Sequence, residues 1–206
     1  MTRGLVIAID GPAAAGKGTL ARRLAATFAL PYLDTGLLYR AVGRRVLDAG
    51  RNPSDAAEAE AAARALRPAD ISRRDLRGPA ADAAAAAVAA IPAVRAALLD
   101  FQRDFPGEKG AVLDGRDIGT VIFPDAQVKL YVTASLAERA RRRWQELLDK
   151  GISADLVTVE AEMLARDTRD RPNMRQAHDA VLIDTSDLTP DEAFECAADV
   201  VRGRLT

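Results

Sequence analysis

The amino-acid sequence predicts an α/β fold in which a parallel five-stranded sheet is flanked by helices. Two patterns carry this expectation. Five short runs rich in Val, Ile or Leu alternate with longer stretches of helical periodicity, the order that builds a parallel sheet covered on both faces. Four of those runs close on an aspartate, at Asp10, Asp34, Asp114 and Asp184. Active sites of parallel sheets lie at the carboxyl ends of the strands, so these four ends are where chemistry is expected.

The elements follow in order. Gly4 to Ile9, "GLVIAI", is a short apolar run with β-branched residues and reads as a strand buried on both faces. A glycine-rich loop follows, and "GTLARRLAATF" then places leucines and alanines at helical spacing. "LPYLD" is a second short strand ending at Asp34. "TGLLYRAVGRRVLDAG" is a helix, capped by Thr35 and stopped by Gly50. Asn52 to Leu66 continues as a helix after an "NPSD" cap, and "RPADISRRDLRGPA" is polar and irregular. Pro79 to Ala90 and Pro92 to Arg103 read as helices with proline in the first turn.

"GAVLDGRDIG" is a third strand that becomes a loop at Asp114, and "AQVKLYVTAS" a fourth. "SLAERARRRWQELLDKG" is a helix capped by Ser135, and "SADLVTVEAEMLARDT" is another. "DAVLIDTS" is the last strand, and "TPDEAFECAADVVRGRL" the last helix, opened by Thr189 and Pro190. No repeat is visible. The alanine-rich stretch from Ala56 to Ala97 keeps regular Leu, Ile and Val placement, which favours ordered helices over disorder.

Composition narrows the function. At 206 residues the chain suits one domain with small mobile appendages. Aromatics are 4%, so the core must be built from Ala, Leu, Val and Ile. Lys and Arg number 29 against 30 Asp and Glu, and that balance argues against bulk binding of a nucleic-acid backbone, which needs a basic face. A single cysteine, Cys196, excludes a disulfide framework and fits a reducing cytosol. The first residues do not read as a secretory signal, and no apolar run is long enough to span a bilayer. Cys196 is expected to be buried, and His178, the one histidine, to be structural or exposed.

The loop Gly11–Thr19, "GPAAAGKGT", is the strongest single motif. Its residues Gly11, Pro12, Ala13, Ala14, Ala15, Gly16, Lys17, Gly18 and Thr19 lie between a strand and a helix, the order a phosphate-binding loop requires. Backbone N–H groups around such a turn converge on phosphate oxygens, and the helix N-terminus adds positive potential. Lys17 supplies a charge that follows a transferring phosphoryl group. A bare glycine turn with a surface lysine is the competing reading, and the flanking strand and helix count against it. The hydroxyl normally next to the lysine is displaced by one position, from Gly18 to Thr19. This "GKGT" spelling resembles the nucleoside monophosphate kinases, and no N-K-x-D guanine motif occurs that would indicate a regulatory GTPase.

Three further stretches point to a second anion site. In "LDTGLLYRAV", Arg40 falls one turn into a helix, where it could hold a phosphate bidentately. "IPAVR" ends on Arg95. In "LDGRDIGTVIFPDA", Asp114 could orient a magnesium-bound water, and Arg116 and Asp117 follow on a tight turn, either as a salt bridge or as part of the site.

Together "IDGPAAAGKGT", "LDTGLLYRAV", "VAAIPAVRAAL" and "DGRDIGTVIFPDA" resemble the bacterial cytidylate kinases in order and spacing over nearly the whole chain. The resemblance implies a kinase that transfers a phosphoryl group from ATP to CMP or dCMP with magnesium. It implies a core at 1–34, 111–150 and 180–206, a monophosphate-binding region at 35–105 and a lid at about 151–179. It assigns Gly11 to Thr19 to the ATP phosphates, with Thr19 and, through water, Asp114 toward the metal. Thr35, Tyr39 and Arg40 would line the CMP site, with Arg40 on its phosphate. Arg95 and Asp117 would read cytosine, while Arg116 would meet phosphate. Arg166 and Asp170, from "ARDTRDRPN", would hold ribose and phosphates. Arg139, with Arg142 or Arg143, would lie near the ATP base or phosphates. Lys17, Arg116 and Arg166 would be the catalytic cations. A monomer in the cytoplasm, with no nucleic-acid or membrane partner, is expected.

The sequence departs from the family pattern in two places. The small antiparallel sheet that many members insert has no counterpart between Asp48 and Ala90, and the hydroxyl often presented to cytosine falls at Ala86. In the lid, Asn173 stands where a further arginine is usual, with Arg171 or Arg175 as replacements. A kinase for UMP, AMP or another small metabolite stays open as an alternative, as does an ATP-dependent regulator without an acceptor.

Overall fold

The computed structural model describes residues 4–205; Met1 to Arg3 and Thr206, the ends of the expected core, lie outside the described residues. The chain divides into two compact units, Met1–Leu33 with Pro106–Thr206, and Asp34–Phe105.

The first unit is a sheet with the strand order β2-β3-β1-β4-β5, formed by β1 (Leu5–Asp10), β2 (Tyr32–Asp34), β3 (Gly110–Gly115), β4 (Val128–Thr133) and β5 (Val181–Asp184). The strand β1 is central, pairing in parallel with β3 through Ile7–Val112 and with β4 through Ile7–Val128. Ile7 and Ile9 are fully buried, as a strand covered on both faces requires. The helices α1 (Lys17–Thr27) and α8 (Pro190–Leu205) contribute Leu20, Leu24, Phe194, Ala197 and Val201 to the same core as Ile7, Val112, Leu130 and Ile183. Each such Leu, Ile or Val contributes roughly 1.5–3 kcal/mol by leaving water. The aliphatic core expected from the composition is present, with Phe194 among its buried members.

The helices α6 (Leu136–Asp149) and α7 (Leu156–Asp170) form a hairpin followed by a 3₁₀ turn at Arg171–Asn173. Ser135 caps α6 as expected, accepting the Glu138 N–H at 3.2 Å. A π-turn at Ile118–Ile122 joins β3 to β4. Two expectations need correction here. The strand β3 runs one residue past Asp114, to Gly115, because its pairing with β1 continues through Asp10–Gly115. Cys196 is exposed, because the face of α8 that meets the sheet is carried by Ala193, Phe194, Ala197, Ala198 and Val201.

The second unit comprises α2 (Thr35–Asp48), α3 (Ala56–Arg64), a 3₁₀ turn at Pro68–Ser72, α4 (Pro79–Ala89) and α5 (Pro92–Asp104). No strand occurs among the described residues 35–105, consistent with the absent insert. A β-carbon at Gly43 would stand 2.8 Å from the Ala84 β-carbon, so glycine there allows α2 and α4 to approach closely. The helix α2 ends as expected, with Gly50 at φ +67° and the Arg51 N–H bonded to Val46 O at 3.0 Å. Its start differs: Thr35 is the first helical residue and Asp34 occupies the cap position without a side-chain bond. The next helix begins late. Asn52 closes a local turn on the Ser54 N–H at 3.0 Å, and Asp55 is the cap, accepting from Ala57 and Glu58. The stretch expected to be irregular contains the 3₁₀ turn, tied to α2 by Arg45–Asp70 at 3.1 Å, while Arg73 beyond it bonds Asp48 at 2.7 Å. The two helices α4 and α5 are bent by 96° at Ala90–Ile91. No single helix among the described residues is long and apolar enough to cross a membrane.

Candidate functional site

The phosphate loop leaves β1 at Asp10 and enters α1 at Lys17. Gly11 adopts φ +140°, and a β-carbon there would lie 1.9 Å from Val132 O, so only glycine fits against β4. Gly16, at φ +88°, turns the chain into the helix, whose first bond joins the Leu20 N–H to Gly16 O. Ala14 is also left-handed, at φ +58°, a conformation that costs an alanine about 1 kcal/mol. Ala13 and Ala14 rest on the small cluster formed by Ala140, Val159 and Met163 between α6 and α7. The Thr185 hydroxyl, just beyond β5, bonds Ala15 O at 3.1 Å. Supports from three elements therefore hold the loop in a conformation its alanines would not choose alone.

Lys17 is buried and donates to Pro12 O at 2.7 Å. Burial lowers its ammonium to about 7, with Arg116 and Arg166 pushing the same way and Asp114 and Asp10 opposing them. Asp10, which ends β1, is also buried. Its carboxyl is raised to about 6 by burial, against the N–H groups of Gly119 and Ile118, each at 2.8 Å. Those two bonds fix the π-turn that follows the Arg116–Asp117 pair. Arg116 donates from Nε to Asp170 Oδ2 at 2.8 Å, and Arg166 approaches the same carboxylate at 3.8 Å. Asp117 is buried, and its carbonyl accepts the Val121 N–H at 2.9 Å. The structure thus brings together Lys17, Asp114, Arg116, Arg166 and Asp170. Burial is the main cost to the Lys17 ammonium, and an anion bound beside it would offset that cost.

Asp114 is buried and accepts the Tyr32 hydroxyl at 3.2 Å. A β-carbon at Gly18 would sit 3.5 Å from Asp114 Oδ2, so this carboxylate faces the start of α1. Thr19 is exposed in that first turn, with its hydroxyl 3.4 Å from Arg22 Nη2. No group of three or more His, Cys, Asp or Glu that could hold a metal exists among the described residues. One hydroxyl and one carboxylate suit magnesium, which keeps several waters and takes further oxygens from phosphates.

Arg139 is buried and spans three partners. It bonds Ala134 O at 3.0 Å, Ala13 O in the phosphate loop at 3.3 Å, and Asp167 of α7 through two nitrogens at 3.2 and 2.7 Å. Arg142 is held by Glu138 at 2.8 Å and by the hydroxyl and carbonyl of Thr185 at 3.0 and 2.6 Å. Arg143 pairs with Glu146 at 2.9 Å.

In the second unit, Thr35 is buried at the start of α2, and Tyr39 and Arg40 follow one turn on. Arg95 of α5 lies over the Tyr39 ring, 5.7 Å from its centroid. Arg40 donates from Nε to Asp82 of α4 at 3.0 Å. Ala86 is exposed one turn beyond Asp82. Thr35, Tyr39, Arg40 and Arg95 therefore gather within this unit.

Sequence reasoning missed Asp82, Asp167 and Thr185. Each acts on a residue far along the chain, so no local motif marks it. For Asp10 the sequence signals only a strand end. His178 is exposed, as expected.

A family model described as cytidylate kinase matches residues 7–203. A cytidylate kinase of Acidiphilium cryptum is 62% identical over 205 residues, covering 98% of this chain and 97% of the relative. Those of Granulibacter bethesdensis and Paramagnetospirillum magneticum are 59% and 58% identical, covering 96% and 95% of this chain and 97% of each relative. Among solved structures, an uncharacterized protein from Eubacterium ventriosum aligns with a TM-score of 0.59 at 14% identity, covering 96% of this chain and 98% of its own. The TT1252 protein of Thermus thermophilus aligns with a TM-score of 0.51 at 22% identity over the full length of both. These two likenesses speak for the fold alone.

Proposed function

The chain belongs to the cytidylate kinase family, and from that premise we propose how its residues carry out the reaction. The enzyme transfers the γ-phosphoryl group of ATP to CMP or dCMP, giving ADP and CDP or dCDP. An oxygen of the acceptor phosphate forms the new bond to the γ-phosphorus. The bond to the β–γ bridging oxygen breaks, and its electron pair leaves with ADP. No covalent enzyme intermediate is needed, so the protein's work is positioning and charge neutralisation.

The observation that carries this reading is the buried Lys17 of the phosphate loop, bonded to Pro12 O at 2.7 Å, with Arg116 and Arg166 meeting on Asp170 at 2.8 and 3.8 Å. Burial holds the Lys17 ammonium down to about 7, and a polyphosphate bound beside it would raise it again. Gly11 to Thr19 cradle the ATP phosphates, and Lys17 follows the transferred group. Thr19, with Asp114 through water, would hold magnesium, which neutralises charge on the phosphates when bound. Arg139 supports the loop from behind through Ala13 O, and Arg142 does so through Thr185, which bonds Ala15 O.

For the acceptor, Thr35, Tyr39 and Arg40 line the CMP site, with Arg40 on the phosphate. Arg95 and Asp117 read the cytosine. Ala86 offers no hydroxyl to the base, so discrimination against other bases rests on those two residues. Arg166 and Asp170 hold ribose and phosphate, and Arg175 takes the place left by Asn173. Closure of the α6–α7 region excludes water, so that ATP is not simply hydrolysed. The protein works as a cytoplasmic monomer without nucleic-acid or membrane partners.

Coupled ADP release tests the acceptor assignment. Arg40→Ala should raise the KM for CMP on the order of tenfold or more, with the KM for ATP unchanged, because a charged hydrogen bond to phosphate is lost. An unchanged KM for CMP would remove Arg40 from the site.

A further inference from the structure

We propose that Asp82 is a positioning residue for the acceptor phosphate, acting through Arg40. The inference rests on the reading above that Arg40 binds that phosphate. Asp82 lies on α4 and Arg40 on α2, and Arg40 Nε meets Asp82 Oδ1 at 3.0 Å. Both side chains are largely shielded, at 18% and 26% exposure, so the pair is not a solvent-screened surface contact.

The geometry of the guanidinium decides what this pair does. A guanidinium offers five N–H donors on a planar fork, and bidentate binding of an oxyanion uses two of them side by side. The bond to Asp82 uses Nε, so the Nη1 and Nη2 groups are not part of it. Asp82 and a phosphate on the Nη1–Nη2 edge are therefore not rivals for the same donors. A β-carbon at Gly36 would stand 3.2 Å from Arg40 Nη1 and 2.9 Å from Asp34 Oδ1. The absent side chain at Gly36 leaves room for Nη1 at the N-terminus of α2, where helix N–H groups favour an anion. The close approach of α2 and α4 at Gly43 and Ala84 sets the distance over which Asp82 reaches.

Two effects of Asp82 oppose each other. Its negative charge offsets the guanidinium and weakens attraction for phosphate. Its hydrogen bond holds a long, rotamer-rich side chain in one geometry before the ligand arrives. Because the two anions take different edges of the fork, positioning outweighs neutralisation.

Steady-state kinetics of Asp82→Ala, Asp82→Asn and Arg40→Ala test this, with melting temperatures measured alongside. Loss of a hydrogen bond to a charged group predicts that Asp82→Ala raises the KM for CMP on the order of tenfold. The KM for ATP should stay constant. Asp82→Asn keeps an acceptor oxygen without the charge and should recover most of the loss. Asp82→Ala added to Arg40→Ala should cause no further change, since it acts through that residue. A CMP KM that is unchanged or lowered in Asp82→Ala, while Arg40→Ala raises it, overturns the role of Asp82 and leaves Arg40 in place. Equal losses toward ATP and CMP with a lowered melting temperature mean a structural pair only, and also overturn it. If Arg40→Ala itself leaves CMP kinetics intact, the acceptor assignment fails instead.

Discussion

Arg116 donates from Nε to Asp170 Oδ2 at 2.8 Å, joining the loop after β3 to the last residue of α7, 54 positions away in the chain. Arg166 shares the same carboxylate at 3.8 Å. One acid thus orients two of the proposed catalytic cations. Asp170→Ala should lower kcat on the order of tenfold or more, because misplacing positioning groups costs that much. Circular dichroism should remain that of the wild type. A wild-type kcat in Asp170→Ala would mean the two arginines need no such orientation.

Lys17→Ala should reduce turnover by several orders of magnitude while the fold survives, since a buried charge at the transferred phosphoryl would be lost. A wild-type rate with an unchanged circular dichroism spectrum would exclude Lys17 from the chemistry.

The same residue predicts a pH dependence in the ligand-free, magnesium-free protein. Lys17 loses its proton near pH 7 when folded, against an ordinary value of 10.5. Between those values the unfolded chain holds more protons, so this group makes stability rise with pH across that window. The cost of burying the ammonium is full below pH 7. Lys17→Met should therefore be more stable than wild type at pH 7, with the advantage shrinking toward pH 10. Asp10 works in a separate window: its folded carboxyl is raised from 3.8 to about 6, so its contribution falls as pH rises through that range. Thermal melts of wild type and Lys17→Met at several pH values decide the first point, and a constant difference between them would contradict it.

Arg139 and Asp167 form a two-bond pair with 6% and 22% side-chain exposure, linking α6 to α7 and to the phosphate loop. Removing one partner leaves the other charge shielded and unpaired, at a cost of about 3 kcal/mol. Arg139→Ala should lower the denaturant midpoint accordingly and raise the KM for ATP more than that for CMP. Equal stability in urea titrations would show that the pair does not tie these elements together.

Arg175 is exposed two residues after the 3₁₀ turn at Arg171–Asn173. If it reaches the acceptor phosphate on closure, Arg175→Ala should raise the KM for CMP and lower turnover. Unchanged values of both would exclude Arg175 and leave Arg171 as the candidate for that place.

The features legible in the sequence are those written locally. The phosphate loop was readable because its glycines, lysine and flanking elements lie within a few residues of each other. The strands were readable because Ile7, Val112 and Leu130 sit in short apolar runs that burial on two faces requires. Ends were less so: Asp34 and Thr35 are both good caps by residue type, and the backbone put the helix start at Thr35. Cys196 reads as buried from the sequence because its helix is apolar on the adjacent face, but it lies one position off that face and is exposed. The supports of the site escaped altogether. Asp82 serves Arg40 from 42 positions away, Asp167 serves Arg139 from 28, and Thr185 serves Ala15 from 170, distances at which only the fold creates the contact.

The most direct measurement is the ranking of kcat/KM for CMP, dCMP, UMP and AMP with ATP as donor, by coupled ADP release. Arg95 and Asp117 as readers of cytosine, with Arg40 on the phosphate, predict that CMP and dCMP lead and that AMP is poorest. AMP turned over as well as CMP, or better, would contradict the assignment of a cytosine acceptor to this chain.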